Sequence, residues 1–487
     1  MKKIYSLLTL LSIILIVGCE SPIINPDLIP DFIDEVLESE IYKDTELPKR
    51  YLDYGLRFYV GEEELTDYIL KVPFMLEDQL IEVYMGVHTN FSSKLFMKQV
   101  LLKASKPVND LYITTKNNQA VTSKDVYLDG ELKVDHSDNF NLPLSKMYIK
   151  GRGNSSWDYP KKPYRIKFEE KTSILGMAAA RDYVLLSEFG DKSLLRNYMG
   201  HMMSSYLNIE HALETRFVHL YLNNQYLGMY LLTEQVEFDD NRLNVDTSEG
   251  KNGFLLEMDV YERLDQGDEV NIDYIELKNR PFAIKEPNMR DFEGSVATTK
   301  VNFIKSYMTL VFNNLKTSSY DSFIDKASFM DYFIIQEITK NVDINFSSVY
   351  MYKREGEKLK MGPLWDFDIS MGNGDYYEYQ PQGYWAIHNI MLADLLQNPS
   401  FKLDYKVRFL EVIQTYEQIW KDELTKMFLL INQDANQNFE RWDILETYYW
   451  PNTPGMMEAN THQKQYEYLM SWLNQRFAWL KNNISNF

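Results

Sequence analysis

Five cations fall between positions 152 and 167 of an otherwise acidic chain: Arg152, Lys161, Lys162, Arg165 and Lys167. They surround Lys150-Gly151-Arg152-Gly153-Asn154-Ser155-Ser156-Trp157, where small residues let successive backbone N–H groups converge on an anion. In Tyr164-Arg165-Ile166-Lys167-Phe168 a strand period of two puts Arg165 and Lys167 on one face. Backbone dipoles plus positive charge are what a polyphosphate requires. A polar turn leading into a solvated strand face is the plainer reading of the same residues.

Carboxylates form the second group. Asn341-Val342-Asp343, with Ser347 and Ser348 close behind, precedes Gly362-Pro363-Leu364-Trp365-Asp366-Phe367-Asp368. Between them, Val349-Tyr350-Met351-Tyr352 and Lys358-Leu359-Lys360-Met361 read as two strands with Gly356 at the turn. Such a hairpin brings its outer ends together, so Asp343 and Asp366 become neighbours across twenty-three positions. Neighbouring carboxylates repel unless a cation lies between them. An ion such as Mg²⁺ or Mn²⁺, held by one or two carboxylates plus phosphate oxygens, meets that requirement. Loop-capping aspartates and a calcium site are the alternatives. Asp191, Arg196 and Asn197 flank a helix expected over 192–206, where Asp191 reads as its cap and Arg196 as half of an ion pair. Glu234-Gln235 closes a strong strand, and Glu337 lies on an apolar helix.

These residues need elements to position them. The chain has 487 residues, 45% of them hydrophobic and 14% aromatic, enough for two or three domains with sizeable cores. Its 51 basic and 71 acidic residues give a net charge of −20, which argues against nucleic-acid binding but leaves room for a local basic pocket. One Cys excludes an intramolecular disulfide and Cys-based metal centres, and seven His leave little room for a His-rich one. Residues 49–107 read as a small, sandwich-like β-domain and 108–257 as a β-rich lobe. The latter holds a hairpin made of 216–222 and 226–232 about Asn223-Asn224. Residues 258–487 read as a helix-rich lobe, with apolar spacings of three and four over 300–315, 322–341, 389–397, 402–433 and 461–483. The class is α+β, and a ligand site is expected between the lobes.

The N-terminus reads as an address. Met1-Lys2-Lys3 and the apolar run 7–17 form a signal peptide over 1–18, too short to span a bilayer. Ile16-Val17-Gly18-Cys19 looks like a bacterial lipoprotein cleavage box, which makes Cys19 the lipidated residue. Residues 19–48, with Pro22, Pro26, Pro30 and a run of acids, read as a solvated tether with one short helix near 31–40. The expected location is therefore extracytoplasmic, with the membrane reached through the N-terminal lipid only.

Several of these segments together resemble the CotH kinase-like family. They are 150–157, 160–167, Leu175-Gly176-Met177, Asp191 with Leu195-Arg196-Asn197, Tyr226-Leu227-Gly228-Met229-Tyr230 through Glu234-Gln235, and 362–368, in the family's order over about 108–450. The resemblance implies an atypical protein-kinase-like two-lobe fold. It also implies transfer of the γ-phosphoryl group of ATP to Ser or Thr of a surface or coat-type protein, with Mg²⁺ or Mn²⁺. By this analogy Lys162, or its neighbours Arg165 and Lys167, pairs with the phosphates, and Arg152 and Asn154 lie in the turn beside them. Glu234 and Gln235 occupy the hinge. Asp343 resembles the catalytic-loop acid, and Asp366 and Asp368 the metal-binding pair, Asp343 sharing that metal role. Ordinary kinases carry His-Arg before the catalytic Asp and an Asn five residues after it. Here those places hold Asn341-Val342 and Ser348, with Asn345 out of register. A non-catalytic surface adhesion or assembly protein on the same scaffold is the competing reading. Carbohydrate binding, prompted by 35 Tyr and 8 Trp, is a third.

Overall fold

Alternating apolar and polar residues produce most of the strands, which lie between Glu40 and Glu286, and spacings of three and four produce the long helices after Gly294. The computed structural model describes residues 29–51, 54–88, 93–135, 140–265, 267–374 and 379–484. The chain divides into two units at Lys106–Pro107. The signal peptide and Cys19 lie outside the described residues.

In the first unit, a six-stranded sheet runs in the order Glu40–Ile41, Ser93–Leu102, Gln79–His88, Tyr54–Val60 and Arg50–Tyr51, with Glu63–Glu64 added to Tyr54–Val60. Its core contains Phe58, Val83, Met85 and Val100. A two-stranded ribbon and the helix Ile29–Val36 accompany this sheet, instead of the second full sheet that a sandwich needs. The expected solvated tether is corrected here over 29–48. Phe32, Ile33, Leu37, Ile41 and Leu47 are buried in the unit's core. The acids of this stretch conceal an apolar stripe at helical spacing, and charge alone had read it as solvated.

In the second unit, seven strands close into a barrel. Their spatial order is Leu128–Val134, Leu142–Gly151, Tyr164–Thr172, Ala180–Leu186, Gln225–Glu234, Thr215–Leu222 and Val108–Thr115. The last two pair in parallel and remove the free edges. Tyr164, Ile166 and Phe168 are buried while Arg165 and Lys167 alternate outward. The 215–234 hairpin turns at Asn223 and Asn224, both at positive φ (52° and 62°), as a two-residue hairpin turn demands.

After the barrel, a five-stranded sheet runs Tyr274–Leu277, Arg280–Glu286, Phe254–Met258, Val349–Lys353 and Lys360–Met361. A lobe boundary at 257/258 would cut the strand Phe254–Met258, which pairs only with later strands and so belongs to this sheet. The helices are Arg196–Ser204, Gly294–Asn314, Lys326–Thr339, Ile390–Leu395, Pro399–Arg441, Pro454–Glu458 and His462–Asn483. The first begins later than expected because the Asp191 carboxylate takes the backbone N–H groups of Ser193, Leu195 and Arg196 and holds 191–195 as a turn. The long helix Pro399–Arg441 ties to the barrel through Asn438, whose Oδ1 accepts from Lys161 Nζ (2.8 Å) and from the Met229 N–H (3.1 Å).

Candidate active site

The helix Lys326–Thr339 ends at Lys340 in the left-handed region (φ 50°), which turns the chain into Asn341-Val342-Asp343. Asn341 Oδ1 accepts from the Asp343 N–H (3.0 Å), and its Nδ2 donates to the Asp366 carbonyl (2.9 Å). The hairpin Val349–Lys353/Lys360–Met361 joins the two ends as its sequence foretells. Asp366 stands at φ 67°, and Ser348 Oγ donates to its Oδ2 at 3.1 Å. Asn197 Oδ1 accepts the N–H of Phe367 at 2.7 Å. Arg196 pairs with Asp191 with both side chains fully buried, and it donates to the Ser370 (3.0 Å) and Met371 (3.1 Å) carbonyls. The motif residues Asp191, Arg196 and Asn197 thus act by holding the 366–371 segment. A Cβ on Gly200 would come within 2.2 Å of the Phe367 ring, so only glycine admits that ring.

A cleft of about 310 Å³ lies between the 151–156 turn of the barrel and these carboxylates. Burial and the neighbouring Asp366 push the Asp343 carboxyl up to about 7. Loss of solvent and the same Asp366 also raise Asp368 well above its usual value. On the barrel side, Lys150 and Arg152 face the cleft. Arg152 stacks on Trp365, 5.2 Å from the ring centre, and Lys150 stands 4.9 Å from the ring centre of Tyr127. Burial lowers both cations from their usual range, and Asp366 opposes this at Arg152. Among the described residues neither has a carboxylate within salt-bridge distance. Arg263 stands 3.7 Å from Asp343 Oδ1 and donates to Ser347 Oγ. Burial works against its charge, but Asp343 and Asp366 hold its pKa above the usual value.

Of the sequence candidates, Arg152, Asn154, Arg165, Gln235, Asp343, Asp366 and Asp368 line this cleft. Three others do not. Lys162 donates to the Trp157 carbonyl at 2.6 Å and lies over that indole ring, clear of the cleft. Lys167 sits 3.8 Å from Asp182, and Arg165 pairs with that carboxylate at 2.7 Å. Glu234 is fully buried between Arg242 (3.0 Å) and His211 (2.6 Å), so it joins no hinge surface. The Pro160-to-Pro163 turn aims Lys161 and Lys162 away from the cleft, which sequence spacing could not show. Arg263 and Lys150 are the residues sequence reasoning passed over. Lys150 lies near the end of the strand Leu142–Gly151, two positions before Arg152, but Arg263 lies on a short turn eighty positions before Asp343 and gives no signal. A second groove of about 540 Å³ on the barrel, lined by Thr114, Lys116, Asp129 and Tyr148, is separate from this chemistry.

Among the described residues no three His, Cys, Asp or Glu side chains stand together as a ready metal cage. The donor set still fits a hard divalent ion. Asp343, Asp366 and Asp368 are oxygen donors, with Asp366 raising the pKa of both Asp343 and Asp368, and such an ion needs only one or two of them when phosphate oxygens complete its shell.

A mixed α+β chain with a carboxylate cluster facing basic residues across a polar cleft is the setting for phosphate chemistry. The family profile described as CotH kinase protein matches residues 149–480, more than half of the chain. The chain belongs to the CotH kinase family. The match begins in the barrel strand Leu142–Gly151 and extends through nearly all of the final helix, later at both ends than the expected 108–450. No curated protein matches the chain.

Proposed function

We propose that the protein is a lipid-anchored, extracytoplasmic protein kinase that transfers the γ-phosphoryl group of ATP to Ser or Thr of surface proteins. The barrel and the helical part are read as the two lobes of a kinase-like fold. The observation that carries the reading is the meeting, in one cleft, of Asp343, Asp366 and Asp368 with the carboxylate-free cations Lys150 and Arg152. Family membership points the same way.

Phosphoryl transfer asks little covalent work of a protein; positioning and charge stabilisation dominate. Lys150 and Arg152, beside the Gly151–Ser156 turn, hold the phosphates, the role first given to Lys162. Gln235, at the exit of the barrel, meets the base. Asp343 orients the acceptor hydroxyl and takes its proton. Arg263 steadies the Asp343 carboxylate and the charge developing beside it. A divalent ion held by Asp366 with Asp368 would neutralise charge on the transferred group. The polar, charged cleft favours this over the adhesion reading, for which none of these groups is needed.

The test is calorimetric titration with a non-hydrolysable ATP analogue and Mg²⁺. Wild type should bind, and Arg152→Ala should weaken affinity by roughly tenfold or more, as loss of a charged hydrogen-bonding partner does. Absence of nucleotide binding by wild type would overturn the proposal.

A further inference from the structure

Two non-glycine residues of the cleft, Ser348 and Asp366, sit in the left-handed backbone region, at φ 59° and 67°. They are bonded to each other, Ser348 Oγ donating to Asp366 Oδ2 at 3.1 Å. Left-handed backbone at such residues is disfavoured and survives where the surroundings enforce it. For Asp366 the enforcement is visible. Asn341 holds its carbonyl, Asn197 holds the next N–H, and Ser348 holds the carboxylate. Of these three, only Ser348 acts on the group that would meet a ligand. Ser348 is itself buried, at the start of the strand Val349–Lys353, so its hydroxyl has little freedom to point elsewhere.

We infer that Ser348 is the positioning residue that orients Asp366 toward a divalent ion. The inference rests on the proposed kinase reading and deepens it. Ser348 stands five residues after Asp343, where an ordinary kinase places an Asn on its second metal ion. A serine side chain is shorter, and here its hydroxyl is already committed to Asp366. The position therefore acts through the carboxylate. The bond from Ser348 to Oδ2 fixes the plane of the carboxylate, and with it the direction in which its oxygens meet an ion. Asn345, the nearby amide, donates to the Trp385 carbonyl (3.1 Å) and does not replace it. Such outer-shell partners fix the orientation of the ligand they touch, and losing one lowers metal affinity by 10–100-fold in typical cases.

The experiment measures free Mn²⁺ by electron paramagnetic resonance while the full chain, with a non-hydrolysable ATP analogue, is titrated. Ser348→Gly removes the hydroxyl and tolerates the positive φ; Ser348→Ala removes the hydroxyl alone and serves as the second variant. Both should raise the Mn²⁺ dissociation constant about tenfold or more, and both should bind the analogue without metal as wild type does. A general structural role would weaken both kinds of binding together. Unchanged Mn²⁺ affinity in the variants would overturn the role of Ser348 and leave the kinase reading standing. No Mn²⁺ binding by wild type would overturn the kinase reading and this inference with it.

Discussion

Lys161 and Lys162 are adjacent in sequence and opposite in fate. Lys161 is 1% exposed, donates to the Met229 carbonyl and Asn438, and is pushed by burial down to about 7. Lys162 turns to the Trp157 carbonyl. A stretch of five cations marked where positive charge gathers, but which of them meets the cleft depends on turn geometry that composition does not encode. Glu188 shows how far burial goes at this scale. Buried near Asp191, and bonded by Asn197 Nδ2 at 3.0 Å, it is pushed from an ordinary 4.5 up to about 8. Between those values the folded chain keeps a proton that the unfolded chain releases. This group's contribution therefore falls as pH rises from about 4.5 to about 8, by up to about 1.4 kcal/mol per pH unit. Glu188→Gln should flatten that decline relative to wild type, read as the difference between their urea-unfolding free energies from pH 5 to 8. Parallel curves would contradict it.

At the scale of elements, the hairpin that joins Asp343 to Asp366 was readable because strand runs, a turn glycine and flanking acids follow one another in sequence. The clamps that brace the joined segments were not readable, because each partner comes from a distant element. Glu337 accepts the N–H groups of Trp385 (2.9 Å) and Ala386 (2.7 Å) and pairs with the buried Arg476 at 2.6 Å. Trp385 and Asn389 in turn donate to the Val342 and Ile344 carbonyls on either side of Asp343. The helix Arg196–Ser204 supplies the other brace through Asn197 and Gly200. Gly200→Ala should push Phe367 aside, cost about 1–3 kcal/mol by overpacking, and weaken binding of nucleotide with Mg²⁺ through displacement of Asp366. Denaturant unfolding and calorimetry read the two effects, and an unchanged pair of values would show that the ring is free to move.

For the whole molecule, the sequence revealed the class and the order of β-rich before helix-rich regions, since periods of two and of 3.6 are local signals. Barrel closure was hidden: it depends on parallel pairing of Val108–Thr115 with Thr215–Leu222, a hundred positions apart. The helix Ile29–Val36 was expected near 31–40, but its burial was hidden, its apolar stripe lying beneath a run of acids. Among the described residues no helix is long and apolar enough to cross a membrane. The proposed attachment is through a lipid on Cys19, the chain's single Cys, which directly follows the apolar run and Gly18. In bacteria expressing the full chain, labelled palmitate should enter the wild type, and Cys19→Ala should lose the label and leave the membrane fraction. Labelling that persists in the variant would remove the lipoprotein assignment.

The central claim is that Asp343, Asp366 and the opposing cations form a phosphoryl-transfer site. It is tested most directly by incubating the protein with γ-³²P-ATP, Mg²⁺ and a generic protein acceptor. Wild type is compared with Asp366→Asn and Asp343→Asn. The account predicts label on Ser or Thr with wild type and a loss of at least about a hundredfold in either variant, the scale on which removing one charge-stabilising group acts. Equal labelling by wild type and both variants would contradict it, as would no labelling by a wild-type protein that binds no nucleotide.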